Sequence, residues 1–292
     1  MSDTASVLFD APGPKTKRRN LIVGVIATAA IVLIGFVIVW GLREQYTPEK
    51  WAVFGQPATW TSAIIPGLIN TLQAAVISIV LAALLGTLLG LGRLSEFAPL
   101  RGLCTVIVEF FRAVPVLVMM FFTYSLVIYV LIPAGVPLGG PLVSLVAVVT
   151  GLTLYNASVI AELIRSGMHS LPKGQREAGL AVGLTNSQTR TSILLPQAIT
   201  AMLPSLVSQL VVVLKDTALG SIVLYPELLR SLNILASNNG NTIAALTLGA
   251  VMYIIINFGL TTLASFVQRR MAKRGGRSVQ QITEQAGLPT AV

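Results

Sequence analysis

The stretch QREAGLAVGLTNSQTRTSILLP, residues 175–196, gathers charge, amide, hydroxyl and glycine between segments oily enough to sit in lipid. Its neighbours set the problem. The 292-residue chain is 54% hydrophobic and 11% charged, with a mean hydropathy of +0.81. Soluble domains carry roughly a quarter charged residues. An apolar excess of this size has to face lipid, and the polar stretch then becomes a connection between membrane segments.

A bilayer core takes about 20 apolar residues per helix. Six spans are expected: Leu21–Leu42, Asn70–Leu91, Ile107–Ile132, Pro141–Leu163, Ala201–Leu224 and Thr242–Val267. The first is too long for a signal-peptide core and no small-residue cleavage site follows it, so it reads as an uncleaved anchor. With the amino terminus cytoplasmic, one side receives Lys15, Lys17, Arg18, Arg19, Arg93, Arg101, Arg165, Lys173, Arg176 and Arg190. The tail adds Arg269, Arg270, Lys273, Arg274 and Arg277, while the opposite side keeps Arg43, Lys50 and Arg230. Fifteen against three places both termini inside a cell membrane. The net charge of +9 is thereby a topology signal spread over short loops, and no nucleic-acid partner is expected. One cysteine, Cys104, and one histidine, His169, exclude a disulfide framework and a Cys/His metal cluster.

Residues 175–196 now lie in the longest cytoplasmic connection. Pro172 suits a helix start and Lys173 to Val182 reads as a short helix with Gly183 as its stop. Thr185 with Gln188 suits a capping box for a following helix, which Pro196 ends or kinks. Ala178, Gly179, Ala181 and Gly183 leave one side of the first helix nearly bare, flanked by Arg176 and Glu177. Two readings stand on these residues. The helix rests on headgroups with Leu180, Val182 and Leu184 dipping in, or it is a docking knob for a soluble partner.

The spacing Glu177-Ala178-Gly179, then Gly183, then Ile193-x-Leu195-Pro196 resembles the "EAA" loop of ABC importer permeases, with Gly179 where that family has Ala. GLINTLQAAVISIVLAALLGTLLGLGRLS (67–95), VEFFRAVPVLVMMFF (108–122) and LPSLVSQLVVVLKDTALGSIV (203–223) resemble its polar amino-acid branch. LYNASVIAELIRSGMHSLPKGQREAG (154–179) is similar to actinobacterial glutamate permease subunits. The resemblance implies an all-α integral membrane protein, with a five-helix type I permease core at 67–269 and a coupling loop at 170–196. To this are added a basic tail (1–20), an extra helix (21–42) and a second cytoplasmic tail (270–292). It implies that Arg176, Glu177, Ala178, Gly179, Gly183, Ile193, Leu195 and Pro196 couple to a dimeric ATP-binding subunit. A second permease subunit, identical or not, and an extracellular substrate-binding protein on the face with Glu227, Arg230 and residues 233–241 are the further partners implied.

The spans carry few polar groups. Gly86 and Gly90 form a GxxxG suited to tight helix packing, and Arg112 with Pro115 opens the third helix, where Arg112 snorkels to the headgroups. Lys215 and Asp216 are expensive in an apolar helix and therefore candidates for gating or substrate contact; otherwise Lys215 snorkels and Asp216 caps a break before Thr217. The resemblance extends the substrate pathway to Asn156, Glu162, Ser208, Gln209, Lys215, Asp216 and Thr217. Glu162 alternatively pairs with Arg165 on its own helix. A neutral Gln209 favours an acidic or amide substrate side chain over a basic one.

No G-x-x-x-x-G-K-[ST] occurs, so ATP phosphates must be held by a partner, and no cofactor is expected on this chain. An intramembrane enzyme would need a nucleophile–base pair or metal within the spans, and none recurs there. A passive channel or scaffold would not need the coupling loop. The expectation is a glutamate-importing permease subunit that is not itself an enzyme, with glutamine or a basic amino acid as the alternative cargo.

Overall fold

In the computed structural model, residues 13–285 are described, and their side chains as far as Phe266; among them there is helix and connecting loop but no strand. Of the tails expected at 1–20 and 270–292, residues 1–12 and 286–292 lie outside the described residues. Among the described residues, five helices are long and apolar enough to cross a membrane, or six when one bent pair is counted as a span.

The chain divides into two units, Met1–Val53 and Phe54–Val292. The first holds α1 (Pro14–Gly41) and the short α2 (Pro48–Ala52). Helix α1 begins with Pro at its first position, which needs no amide donor, so part of the expected tail is already helical. From Leu21 onward it is apolar on nearly every face, and no residue of it is buried. Phe36 and Trp40 stack at 6.0 Å, and Arg43 sits 4.3 Å above the Trp40 ring.

The second unit begins with α3 (Pro57–Arg93), longer than the expected 70–91 because Pro57 starts a helix that runs through one π-helical turn into Ile65–Arg93. It packs along α6 (Pro141–His169) through small residues. A Cβ on Gly86 would meet the Ala157 carbonyl at 2.7 Å and one on Gly90 the Ala161 carbonyl at 3.2 Å, so GxxxG serves close packing.

The expected single span 107–132 is two helices. Helix α4 (Ala98–Ala113) and helix α5 (Val116–Leu131) are bent by 100°. Pro115 has no N–H to continue a helix and drives Val114 to an extended φ of −84° and ψ of 127°. Helix α5 then lies against α6, where Met120 meets Gly151. A short helix, α7 (Lys173–Ala181), precedes α8 (Asn186–Ser221). The outer connection folds as α9 (Leu228–Asn239), stopped by Gly240 at φ 59°, and α10 (Thr242–Gln285) closes the unit. Since α10 continues to Gln285, the expected tail from 270 begins inside a helix.

Candidate functional site

Polar residues gather at several places among the described residues of this second unit. The first is the connection between α6 and α8. Helix α7 ends at Ala181, and Gly183 has φ +86°, the left-handed conformation that closes a helix. Gly183 N donates to the Leu180 carbonyl at 3.0 Å and Leu184 N to the Gly179 carbonyl at 3.1 Å, the paired bonds of a Schellman stop. Thr185 and Gln188 form the reciprocal capping box that their spacing suggests. Arg176 donates to Asn186 Oδ1 at 3.0 Å and Gln197 to Gln175 Oε1 at 3.1 Å, bracing α7 against the start of α8.

Two details differ from the sequence reading. Gly179 is buried against Thr189 and Ile193, where a Cβ would come within 2.7 Å of Thr189 Cγ2; the exposed bare patch is Ala178, Ala181, Val182 and Gly183. Pro196 does not end a helix. It follows a π-helical turn, Thr189–Leu194, and stands at the second position of Leu195–Asp216, where its missing N–H is harmless. The fifth span therefore starts at Asn186 instead of 201, and the loop's second helix and the span are one element. Ile193 and Leu195 are half-buried within it.

The second group is an ion cluster. Arg93 donates to Glu162 at 2.7 Å and to Glu109 at 2.9 Å. Glu162 also pairs with Arg165, one turn on, at 2.6 Å, and Arg112 lies 3.6 Å from both carboxylates. Arg112 thus points into a protein cluster, not only toward headgroups. Arg93 is buried and holds the end of α3, helix α4 and helix α6 together; sequence reading had placed it among loop charges. Its signal was position alone, a guanidinium one residue past an apolar run.

The third group runs along α8. Ala201, Pro204, Ser205, Ser208, Val212 and Lys215 are exposed at intervals of three and four, a stripe on one face. The opposite face, with Leu203, Leu206, Leu210 and Val213, borders an apolar cavity of about 460 Å³ together with Ile79, Ile160 and Leu260. Ser208 donates to the Pro204 carbonyl and Thr217, buried, to that of Leu214. Gln209 donates from Nε2 to Asn156 Oδ1 at 2.5 Å, and the buried Asn156 donates to the Leu152 carbonyl. The helix changes to 3-10 geometry after Asp216, whose side chain makes no cap. Lys215 opens onto a cavity shared with Tyr253 and Asn257, whose Oδ1 is buried without a partner. The structure brings Asn156 to Gln209, sets Lys215 two turns from Ser208, and leaves Glu162 with the ion cluster.

Near the other end of the unit, Glu227 is completely buried, which removes it from any docking face. It accepts from the Leu229 and Arg230 amides at 2.7 Å each and from the Tyr253 hydroxyl at 2.9 Å. Burial nevertheless pushes its carboxyl above the ordinary value, and burial raises Tyr225 to about 12.

Residues 82–273 match the family described as binding-protein-dependent transport system inner membrane component, and the chain belongs to that family. It is a membrane transport component and not an enzyme. It is 49% identical over 239 residues to the glutamate transport system permease protein GluD of Corynebacterium glutamicum, covering 82% of this chain and 85% of that one. It is 31% identical to the L-cystine transport system permease protein TcyB of Bacillus subtilis, over 82% of this chain and 93% of the relative. Among solved structures, an amino acid ABC transporter crystallised with histidines superposes with a TM-score of 0.64 at 26% identity, over 72% of this chain and 95% of the other.

Proposed function

We propose that this chain is the membrane-spanning subunit of an ATP-driven importer whose cargo is glutamate. The observation that carries the reading is the continuity of α8. One helical run of 36 residues, about 54 Å long, begins beside the braced surface helix α7 and ends at the polar stripe and Lys215. A push on α7 thereby reaches the stripe along one helical run, through the π-helical turn at Thr189–Leu194 and past Pro204.

In this reading the exposed patch of α7, with Arg176 and Glu177, seats on a dimeric ATP-binding subunit that supplies the ATP chemistry; this chain binds no cofactor. A stripe of Ser205, Ser208 and Lys215 is costly against hydrocarbon, so a second permease subunit or the aqueous path covers it. An amino acid entering that path needs partners for each charge, and Lys215 supplies the cation for a side-chain carboxylate. Gln209 is tied to Asn156 through one amide hydrogen and keeps its Oε1 and second N–H for the cargo. The high identity to GluD supports glutamate over glutamine or a basic amino acid. An extracellular binding protein delivers the cargo to the end opposite α7, and both termini are cytoplasmic in the cell membrane.

Uptake of labelled glutamate in cells lacking the chain, competed by a panel of amino acids, tests the cargo. Arginine or cystine as the dominant competitor would refute glutamate while leaving the importer class intact. For orientation, an impermeant thiol reagent applied to intact cells should label Thr47→Cys and spare Ser170→Cys.

A further inference from the structure

Two cavities meet where the end of α3 and the start of α4 face the α7–α8 connection. One, of about 360 Å³, is lined by Arg101, Arg176, Arg190, His169 and Glu96, with Arg93 at its wall. Arg93 is already neutralised by Glu109 and Glu162. That leaves three guanidinium groups against the single carboxylate of Glu96. Their present partners are mostly uncharged: Arg101 donates to the Ser95 carbonyl at 3.0 Å, Arg176 to Asn186 Oδ1, and Arg190 to the Leu94 carbonyl as well as to Glu96 at 3.1 Å.

The second cavity, of about 550 Å³, shares the wall Leu94–Glu96 and Arg190 with the first. Its other lining is mainly apolar, from Leu88, Leu89 and Leu91 on α3 and Leu100 and Cys104 on α4, with Ser187 and Thr191 of α8 along one side. Leu88 is 68% exposed. Helix α4 is turned 100° from α5 and shows Phe97, Leu100, Leu103 and Phe110 on its surface, as a helix in the plane of a membrane interface does. A basic pocket opening directly into an apolar groove, at the depth where a spanning helix ends, has the two-part chemistry of an anionic phospholipid.

We infer that this composite cleft is a binding site for one anionic phospholipid, its phosphate among Arg101, Arg176 and Arg190 and an acyl chain along Leu88, Leu89 and Leu91. The headgroup would bridge α4 to both helices of the α7–α8 connection. Membrane composition would then act on the element assigned above to the ATPase contact. The site stands on these residues whichever amino acid is carried.

The test uses the full-length chain in its purified transporter complex, in nanodiscs of phosphatidylcholine titrated with fluorescent phosphatidylglycerol. A guanidinium near an anionic lipid surface contributes about fivefold to the association constant. Arg101→Gln should therefore weaken phosphatidylglycerol binding about fivefold, and Leu88→Gln should weaken it as well. Lys173→Gln removes the same charge from α7 outside the cleft and should change little. Equal losses for Lys173→Gln and Arg101→Gln would reduce the effect to diffuse surface attraction and overturn the site. Displacement of the lipid by millimolar inorganic phosphate, with Leu88→Gln unaffected, would show a free-anion pocket and overturn the lipid assignment. Should Arg101→Gln reduce complex yield, Arg190→Gln, whose guanidinium lines both cavities, carries the same expectation.

Discussion

The two ends of the helical unit are fastened by different chemistry. At the end bearing Arg93, helices are joined by long charged side chains: three guanidinium groups and two carboxylates at 2.6 to 3.6 Å, with Glu109 and Arg112 still exposed to solvent. At the opposite end the joints are short and reach backbone. Asn70 donates to the Pro226 carbonyl at 2.8 Å, Tyr225 to the Asn70 carbonyl at 2.9 Å, the Leu228 amide to Thr71 Oγ1 at 3.0 Å, and Tyr253 to Glu227. Ion pairs among several partners exchange at small cost when exposed, whereas a buried hydrogen bond that loses its partner leaves an unpaired group. The Glu227 end is built to keep one shape. The Arg93 end, which adjoins α7, hangs on one buried guanidinium with more exposed charges around it.

The sharpest way to break this contrast is Glu227→Ala. It orphans the Tyr253 hydroxyl and two helix-start amides in a closed site, a loss of about 3 kcal/mol, read as a lowered Tm of the purified protein. The same carboxyl has a pH signature. Its folded value is raised, so its contribution to stability is present below the unfolded value of 4.5 and is lost as pH rises through the folded one. Wild-type Tm should fall across the interval just above pH 4.5, and Glu227→Gln should flatten that slope.

Ala181→Asp places a charge on the exposed patch of α7 without touching the core. Uptake should fall at least tenfold with membrane levels unchanged; undiminished uptake would remove α7 from the coupling role. Arg93→Met should cost less stability than Glu227→Ala, because Arg112 and Arg165 remain to serve Glu162 and Glu109 is open to solvent. A larger Tm loss than that of Glu227→Ala would reverse the comparison between the ends. Smallest is Lys215→Met, expected to reduce glutamate uptake about fivefold while sparing glutamine. Equal reductions would make Lys215 a general structural group.

Much of this was legible from local sequence. Hydropathy marks the spans. Gly183 and the Thr185/Gln188 pair mark the turn because a left-handed residue and a capping box act over four or five positions. Gly86 and Gly90 mark a packing face by their spacing alone. The bend at Pro115 was visible as a helix start, yet nothing local said that 98–113 would turn 100° away. Likewise Pro196 read as ending or kinking a helix, because a π-helical turn ahead of it leaves no sequence signal.

What the sequence by itself determined is the set of apolar lengths, the charge asymmetry between their connections, and the polar turn at 170–196, since each depends on the side chain and its immediate neighbours. The tertiary structure alone decided that Arg93 joins Glu109 and Glu162, 16 and 69 positions away. It also decided that Gln209 joins Asn156 and that Glu227 is sealed beneath Tyr253. Helical periodicity fixes which face a side chain is on. Which neighbour meets that face depends on how whole helices pack, and in a bundle that is settled by small residues such as Gly86, Gly90 and Gly151 far along the chain from the groups they bring together.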